Sequence, residues 1–179
     1  MLCFRKIVAL FFLILLLQGC LVFQKVSYEV NLTGENSGNV VMEITNICSD
    51  AMNSSELEQD KKQLFQELYK SDEFVAQMKE EGRNILDRQL FVSEGKLNGI
   101  VKYSFDDISS VENFVYEEPF YFVTLELQDS IISTNGEVIK SEDHKRIMWD
   151  SSIKILKFEM FSTDVEGSNL VKLAPYFED

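Results

Sequence analysis

The feature that most constrains the fold of this chain is a two-residue alternation of apolar side chains. It recurs in three stretches, whose apolar positions are Val26, Tyr28, Val30 and Leu32, then Val40, Met42 and Ile44, and later Leu97, Val101, Tyr103 and Phe105. This period is typical of strands that bury one face. Because turn-forming residues Gly34 to Gly38 separate the first two stretches, we predict a β-hairpin there.

One charged segment with a helical pattern, over about residues 55–81, interrupts the alternation. Ser55 and Glu58 have the spacing of a capping box, and Gly82 is a natural stop. A break near Ser71-Asp72 would divide the segment into two helices. Its apolar stripe is moderate, which indicates that one side of the segment packs on a sheet.

Strand patterns return in the second half of the chain, in Phe120 to Leu127, Ile147 to Trp149 and Ile153 to Phe161. Asp106-Asp107 precedes a short helical turn, and Asn135-Gly136 is a tight-turn signal between Ile131-Ile132 and Val138-Ile139. The apolar end, Leu170 to Phe177, is expected to dock on the body of the protein. This order predicts an α+β fold, with a mostly antiparallel sheet and an inserted helical segment packed on one face.

Composition limits the domain count and the partners. The chain has 179 residues, of which 45% are hydrophobic, enough for one domain with its own core. Without the first 19 residues, which include Arg5 and Lys6, 15 basic and 30 acidic side chains remain. Such an acidic surface repels phosphate backbones and anionic headgroups, so nucleic acid is not an expected partner. A membrane location would therefore need a covalent or inserted anchor.

The amino terminus has the pattern of an export signal. Arg5 and Lys6 precede an apolar run of 11 residues, Ile7 to Leu17, which suits a signal core and is too short to span ~30 Å of hydrocarbon. Leu17-Gln18-Gly19-Cys20 follows and resembles the lipobox of bacterial lipoproteins, with Gln18 in place of the commoner small residue. The alternatives are an uncut signal anchor extended through Leu21-Val22-Phe23 and an ordinary cleaved secreted protein.

The lipobox resemblance implies cleavage between Gly19 and Cys20 and a diacylglyceryl group on the thiol of Cys20. It divides the chain into a signal peptide (1–19), a lipidated tether (20–25) and a single domain (26–179). Because Leu21 is not the Asp that retains lipoproteins in the inner membrane, the resemblance implies outer-membrane delivery in a cell with two membranes. In a cell with one membrane it implies the outer face of that membrane.

Residues that could support catalysis or bind metal are few. The lone histidine, His144, could act with Asp143, but neighbours on an extended chain point to opposite faces, so we expect a solvated surface residue. Cys48, alone in a mature chain, is expected to be buried filler. The Asp106-Asp107 pair is expected to cap a helical turn rather than catalyse. Asp164 to Asn169 lacks the spacing of a calcium loop.

An aromatic set could line a groove for an acyl chain or a hydrophobic peptide. Its members are Phe114, Tyr116, Phe120, Tyr121, Phe122, Trp149, Phe158 and Phe161. Pockets for small ligands are mostly apolar and concave, which suits this reading. Ordinary packing of an aromatic-rich sheet explains the same residues, and this is the interpretation we favour.

The order of motifs over about residues 26–162 is similar to the bacterial lipoprotein domain typified by LppM. The resemblance lies in the first hairpin, the helical insertion, the strand Gly95 to Phe105, the following Asp106-Asp107-Ile108 and the late strand with Trp149. It implies an envelope-associated α+β domain without catalytic residues or cofactors. We therefore predict a non-enzymatic, lipid-anchored envelope protein that binds a partner, such as an envelope protein, or an apolar ligand near the membrane. The alternatives are a module that binds lipid or another apolar ligand and a carboxylate-based cell-wall hydrolase.

Overall fold

Strands dominate the fold, as the alternating pattern predicts. The computed structural model describes residues 21–161 and 169–177. The strands are β1 (Leu21–Leu32), β2 (Gly38–Ser49), β3 (Arg83–Ser93), β4 (Lys96–Phe105), β5 (Phe114–Glu117), β6 (Phe120–Leu125), β7 (Ser130–Thr134), β8 (Glu137–Lys140), β9 (Lys145–Asp150), β10 (Ile155–Phe161) and β11 (Val171–Lys172). Helices α1 (Ser54–Lys62) and α2 (Asp72–Glu80) flank a π-helical segment, Gln63–Leu68, and two 3₁₀ turns cover Ile108–Ser110 and Ala174–Tyr176.

The strands form two antiparallel sheets. The larger has the order β3-β4-β2-β1-β10-β7, with the short β11 also paired to β2, and the smaller has the order β5-β6-β9-β8. Each pairing is antiparallel, including the long β1–β2 hairpin that the Gly34 to Gly38 turn connects. The predicted α+β class with mostly antiparallel sheet is confirmed, although the strands divide between two sheets.

The main core lies between the two sheets. The larger sheet contributes Val30, Val40, Tyr103, Phe105, Leu156 and Phe158, and the smaller contributes Phe114, Tyr121, Val123, Ile147 and Trp149. Burial of these side chains is the dominant stabilising term. The alternation seen in the sequence is thus the alternation of core-facing and outward-facing residues.

A second core cluster joins the helical segment to the other end of the larger sheet. Leu64 of the π-helical segment packs with Ile47, Leu97 and Leu173. Leu97 and Phe105 are an even number of residues apart on β4, so the helices and the smaller sheet cover the same face of the larger sheet. The predicted packing of the helical segment on one sheet face is confirmed, as is docking of the chain end through the fully buried Leu173.

Asn135-Gly136 lies between two strands, as the tight-turn signal predicts, but these strands do not pair as a hairpin. β7 pairs with β10 in the larger sheet, whereas β8 pairs with β9 in the smaller one, so the turn carries the chain between sheets. Gly136 packs directly on Trp149, because a Cβ atom there would lie 2.7 Å from the indole. The predicted turn is present, and the two strands that flank it belong to different sheets.

Two boundaries also differ from the sequence interpretation. The cap of α1 is Asn53, whose side chain accepts hydrogen bonds from the backbone N–H groups of Ser55 and Glu56, rather than Ser55 itself. Strand β1 begins at Leu21, which pairs with Ser49, so residues 21–25 of the predicted tether belong to the sheet, and Cys20 lies outside the described residues. The break between helices lies just before Asp72 and α2 ends before Gly82, both as predicted.

Candidate functional site

A cavity of about 540 Å³ lies between the helical segment and the exposed part of the shared sheet face. We call it the roofed cavity. Its walls are Tyr28, Met42, Arg83, Ile85, Val101 and Tyr103 from the larger sheet, Gln63, Glu67, Leu68, Ser71, Glu73, Phe74, Gln77 and Met78 from the helical segment, and Glu112. Its volume falls within the range of small-molecule sites, roughly 300–1,000 Å³.

The floor of the roofed cavity is the part of the sheet that neither core cluster seals. Tyr28, Met42 and Val101 are direct neighbours across β1, β2 and β4. Each remains only partly buried, although residues at both ends of the same face are fully covered. The cavity is therefore a gap between two packed regions, with an apolar floor.

The roof of the cavity is α2, which buries none of its side chains completely. Phe74 and Met78, one helical turn apart, both line the cavity and remain partly exposed. A helix normally buries an apolar stripe against its support, and α2 instead presents this stripe to a cavity. The adjoining π-helical segment contributes Gln63, Glu67 and Leu68 to the wall, and π-helical turns are frequent at functional sites.

One end of the roof is fixed by Arg88 on β3. Its Nη1 atom donates hydrogen bonds to the carbonyl oxygens of Leu68, at 2.6 Å, and Ser71, at 3.2 Å. These carbonyls lie just before α2. The guanidinium also lies 5.8 Å from the centroid of the Phe74 ring, within the range of a cation–π contact.

The other end of the roof is fixed at Gly82, whose φ of +84° suits glycine at the end of a helix. The Ser110 hydroxyl lies 3.3 Å from the Gly82 carbonyl oxygen, and it shares its proton with the Asp107 carbonyl oxygen, at 2.7 Å. Arg83 follows at once and pairs with Glu81 and, at 3.4 Å, with Glu112. Helix α2 is thus attached at both ends, with the cavity beneath its middle.

Two tyrosine hydroxyls form the polar part of the cavity wall. Among the described residues, neither the Tyr28 nor the Tyr103 hydroxyl has a hydrogen-bond partner, although Tyr103 is only 5% exposed. Burial raises the pKa of both phenols. The negative charge of Glu112 also raises these pKa values, whereas the positive charge of Arg83 lowers them. Both groups therefore remain protonated donors. The Nε atom of Arg83 is likewise buried without a partner within the described part of the chain.

The aromatic set singled out in the sequence does not line this cavity. Phe114, Tyr121, Trp149 and Phe158 are each at most 3% exposed, and their rings pack in the main core. Tyr116, Phe120 and Phe122 are partly exposed on the smaller sheet, and the Phe161 side chain lies outside the described residues. Core packing, the favoured interpretation, accounts for the buried members.

Cys48 and His144 lie away from the cavity. Cys48 is 2% exposed, as expected, and burial raises the pKa of its thiol. His144 Nδ1 lies 2.6 Å from Asp143 Oδ1, so the expectation that these neighbours point apart was wrong. The expectation assumed an extended chain, whereas both residues lie in the turn between β8 and β9, where adjacent side chains can meet.

In the Asp106-Asp107 pair, Asp107 has a structural role. Asp107 caps the 3₁₀ turn as predicted, because its side chain accepts a hydrogen bond from the Ser109 N–H at 2.9 Å, and this bond lowers the pKa of the carboxyl. Within residues 21–161 and 169–177, no group of three or more acidic, histidine or cysteine side chains is arranged to hold a metal ion. Gly19, Cys20 and most of the Asp164 to Asn169 segment lie outside the described residues.

No protein family, curated protein or solved structure matches the chain. In the part of the chain that the structure describes, no helix has the length and apolar character needed to cross a membrane.

Sequence reasoning missed the roofed cavity. Its floor residues Tyr28, Met42, Val101 and Tyr103 were identified, but as core. The one available signal was the moderate apolar stripe that includes Phe74 and Met78, which offers too little surface to seal a sheet face. The spacing of apolar residues in the sequence is the same whether a helix packs them against a sheet or presents them to a cavity.

Proposed function

We propose that this chain is a non-enzymatic, lipid-anchored envelope protein whose α+β domain binds an apolar ligand in the roofed cavity. The observation that carries the proposal is the gap between α2 and the apolar floor formed by Tyr28, Met42 and Val101. Leaving apolar surface uncovered beneath a helix forfeits burial and dispersion energy that closer packing would recover. A bound apolar molecule would recover that energy.

The anchor part of the proposal is supported by the sequence alone. Arg5, Lys6, the apolar run and the Leu17 to Cys20 motif together match a lipoprotein signal. Two or three acyl chains on one cysteine give stable anchoring, whereas one chain binds only marginally. β1 begins at the next residue, Leu21, so the anchor would hold the domain close to the bilayer, where apolar ligands are available.

A photoreactive alkane tests the proposal in membranes that contain the full-length protein. We expect the wild-type protein to be labelled by a diazirine-bearing alkane, and Val101→Trp to reduce the labelled fraction about tenfold, because the indole would fill the cavity floor. The measurement is the labelled fraction of intact protein by mass spectrometry.

Val115→Trp is the matched control, because Val115 is 45% exposed on β5 and is not part of the cavity wall. Its labelling should equal that of the wild type. Met78→Trp fills the cavity from the roof and should reproduce the loss. Equal labelling of the wild type and both cavity-filling variants would overturn the proposal.

A protein partner is the second candidate, favoured by the edge strand β3. β3 ends the larger sheet, and its residues Leu86, Phe91 and Val92 are 58%, 39% and 47% exposed. Exposed apolar residues on an open sheet edge are typical of a surface that pairs with another chain. Crosslinking in intact cells tests this candidate: Leu86→Lys should remove a specific crosslinked protein, and an unchanged crosslinking pattern would count against it.

A further inference from the structure

We infer that the roofed cavity selects an uncharged amphiphile, with a single hydrocarbon chain over the apolar floor and a neutral head whose ester and hydroxyl oxygens accept hydrogen bonds from Tyr28 and Tyr103. Monoacylglycerols are the simplest members of this class. The inference rests on the proposed function, because it names the ligand class of the same cavity.

The first argument is the state of the two phenols. Tyr103 is buried, both hydroxyls face the cavity without a partner among the described residues, and both remain protonated. A ligand that covers these hydroxyls would remove them from water, and leaving the two donors unpaired would then cost free energy unless the ligand supplies acceptors. A pure hydrocarbon would leave both donors unpaired, so the ligand should carry oxygen acceptors.

The second argument is the charge around the head. Among the described residues that line the cavity, Glu67, Glu73 and Glu112 are acidic and Arg83 is the only cation. Arg83 already pairs with Glu81 and Glu112, so its charge is compensated. An anionic head would meet net repulsion in a partly desolvated site, whereas a neutral head would not.

The third argument is the arrangement of the phenols relative to the apolar surface. Val30, Val40 and Tyr103 are direct neighbours across β1, β2 and β4, and Tyr28, Met42 and Val101 form the next inward-facing row. The two hydroxyl-bearing residues thus lie one row apart on strands that β2 separates, and Met42 on β2 is a neighbour of both. One small head could accept from both while its chain covers the apolar side chains.

Competition against the photoreactive alkane tests the head-group preference in membranes with the full-length protein. The competitors are a monoacylglycerol and a permanently anionic alkyl sulfonate of equal chain length. The amount of each competitor is expressed as its mole fraction in the membrane. We expect the monoacylglycerol to halve labelling at about one-tenth of the mole fraction that the sulfonate requires. Equal competition, or stronger competition by the sulfonate, would overturn the inference.

Tyr103→Phe and Tyr28→Phe test the hydroxyls without changing ring volume. Each should weaken competition by the monoacylglycerol about three- to tenfold, the range for one lost hydrogen bond, and leave alkane labelling unchanged. Tyr116→Phe is the matched control, because the Tyr116 hydroxyl donates to Glu35 at 3.3 Å and Tyr116 is not part of the cavity wall. It should change neither quantity.

The two proposals fail in different ways. If the alkane does not label the wild-type protein, the apolar cavity itself is not used and both proposals are wrong. If the alkane labels the protein but the monoacylglycerol has no advantage over the sulfonate, or both Tyr→Phe variants compete like the wild type, the head-group inference is wrong and the proposed function stands.

Discussion

At the scale of single residues, Asn135 connects the two sheets. Its Oδ1 atom accepts from Trp149 Nε1 and from the Lys157 N–H, both at 2.8 Å, and its Nδ2 atom donates to the Ile155 carbonyl at 2.7 Å. Asn135→Ala would leave the Nε1 atom of the buried Trp149 unpaired. We expect the free energy of unfolding to fall by about 2–3 kcal/mol.

Denaturant unfolding measures this loss, and Asn39→Ala, at an exposed position on β2, is its control. The control should change the unfolding free energy by less than about 0.5 kcal/mol. A similarly small change for Asn135→Ala would show that the side chain does not hold the sheets together.

A second residue-scale prediction concerns Asp60, which is fully buried on α1. Its Oδ2 atom accepts from the Ser49 hydroxyl at 2.5 Å, and its Oδ1 atom has no partner in the described residues. Burial raises the pKa of this carboxyl, although the Ser49 hydrogen bond opposes the shift. Because the folded state holds the proton more tightly than the unfolded state, Asp60 lowers stability as pH rises from its unfolded pKa through its folded pKa.

Asp60→Asn should therefore stabilise the protein near neutral pH, by about 1–2 kcal/mol, and give no gain below about pH 4, where the unfolded carboxyl is also protonated. Unfolding measured across this pH range checks the sign. Asp106→Asn, which replaces an exposed carboxyl, is the control for the substitution itself. A constant difference between Asp60→Asn and the wild type at every pH would contradict the assignment.

Residue types predicted the core better than the site. The apolar members of the alternating stretches, such as Val30, Val40 and Phe105, are buried as expected, because a strand with one covered face fixes which residues point inward. The sequence did not indicate that Asp60 is buried, because its buried side chain contacts Ser49, which lies on a different element. The position of the Tyr28 and Tyr103 hydroxyls at a cavity could not be predicted either. Alternation shows which face of the sheet a side chain occupies, but it does not show what covers that face.

At the scale of elements, α2 is held more by its ends than by its face. The Arg88 hydrogen bonds to Leu68 and Ser71 fix its beginning, and the Ser110 contact fixes Gly82 after its end. Arg88→Met keeps much of the side-chain volume and removes these donors. We expect amide hydrogen exchange in residues 72–80 to accelerate about tenfold, with exchange in β1 and β2 unchanged.

Arg146→Met is the control for this experiment, because Arg146 contacts the Phe122 ring in the smaller sheet and lies away from α2. It should leave exchange in α2 as in the wild type. Exchange that accelerates throughout the protein in Arg88→Met would instead show that Arg88 supports the whole fold.

The helical segment shows which properties of an element can be predicted. The break before Asp72 and the end before Gly82 follow from local chemistry, because Ser71 caps α2 and Gly82 accepts a positive φ. The π-helical conformation of Gln63–Leu68 has no comparable local signal. Likewise, the pairing of β7 and β8 with different sheets depends on Asn135 and Trp149, whose contact spans the two sheets.

At the scale of the whole molecule, the anchor proposal predicts how the precursor is processed. Cys20→Ser should abolish palmitate incorporation and leave the uncleaved precursor, because the modified thiol is required before cleavage at Gly19. Metabolic labelling and the mass of the product measure both effects. Cys48→Ser is the matched control, since Cys48 is buried, and it should be labelled and cleaved normally. Normal labelling of Cys20→Ser would contradict the anchor.

The whole-molecule arrangement is what the sequence could not supply. The fold class follows from strand patterns with one helical interruption, but the roofed cavity arises because the smaller sheet and the helices cover separate ends of one sheet face. That spacing depends on contacts such as Leu64 with Ile47 and Trp149 with Phe158, which join distant parts of the chain. Local periodicity carries no information about the distance between the smaller sheet and the helices.

The most direct test of the central claim is a map of the residues that a photoreactive alkane modifies in the full-length protein. The proposed function predicts adducts on both walls of the roofed cavity, at Met42 on the floor and at Met78 on the roof. Adducts confined to Met52, which is 95% exposed, or to aromatic residues of the smaller sheet would contradict it.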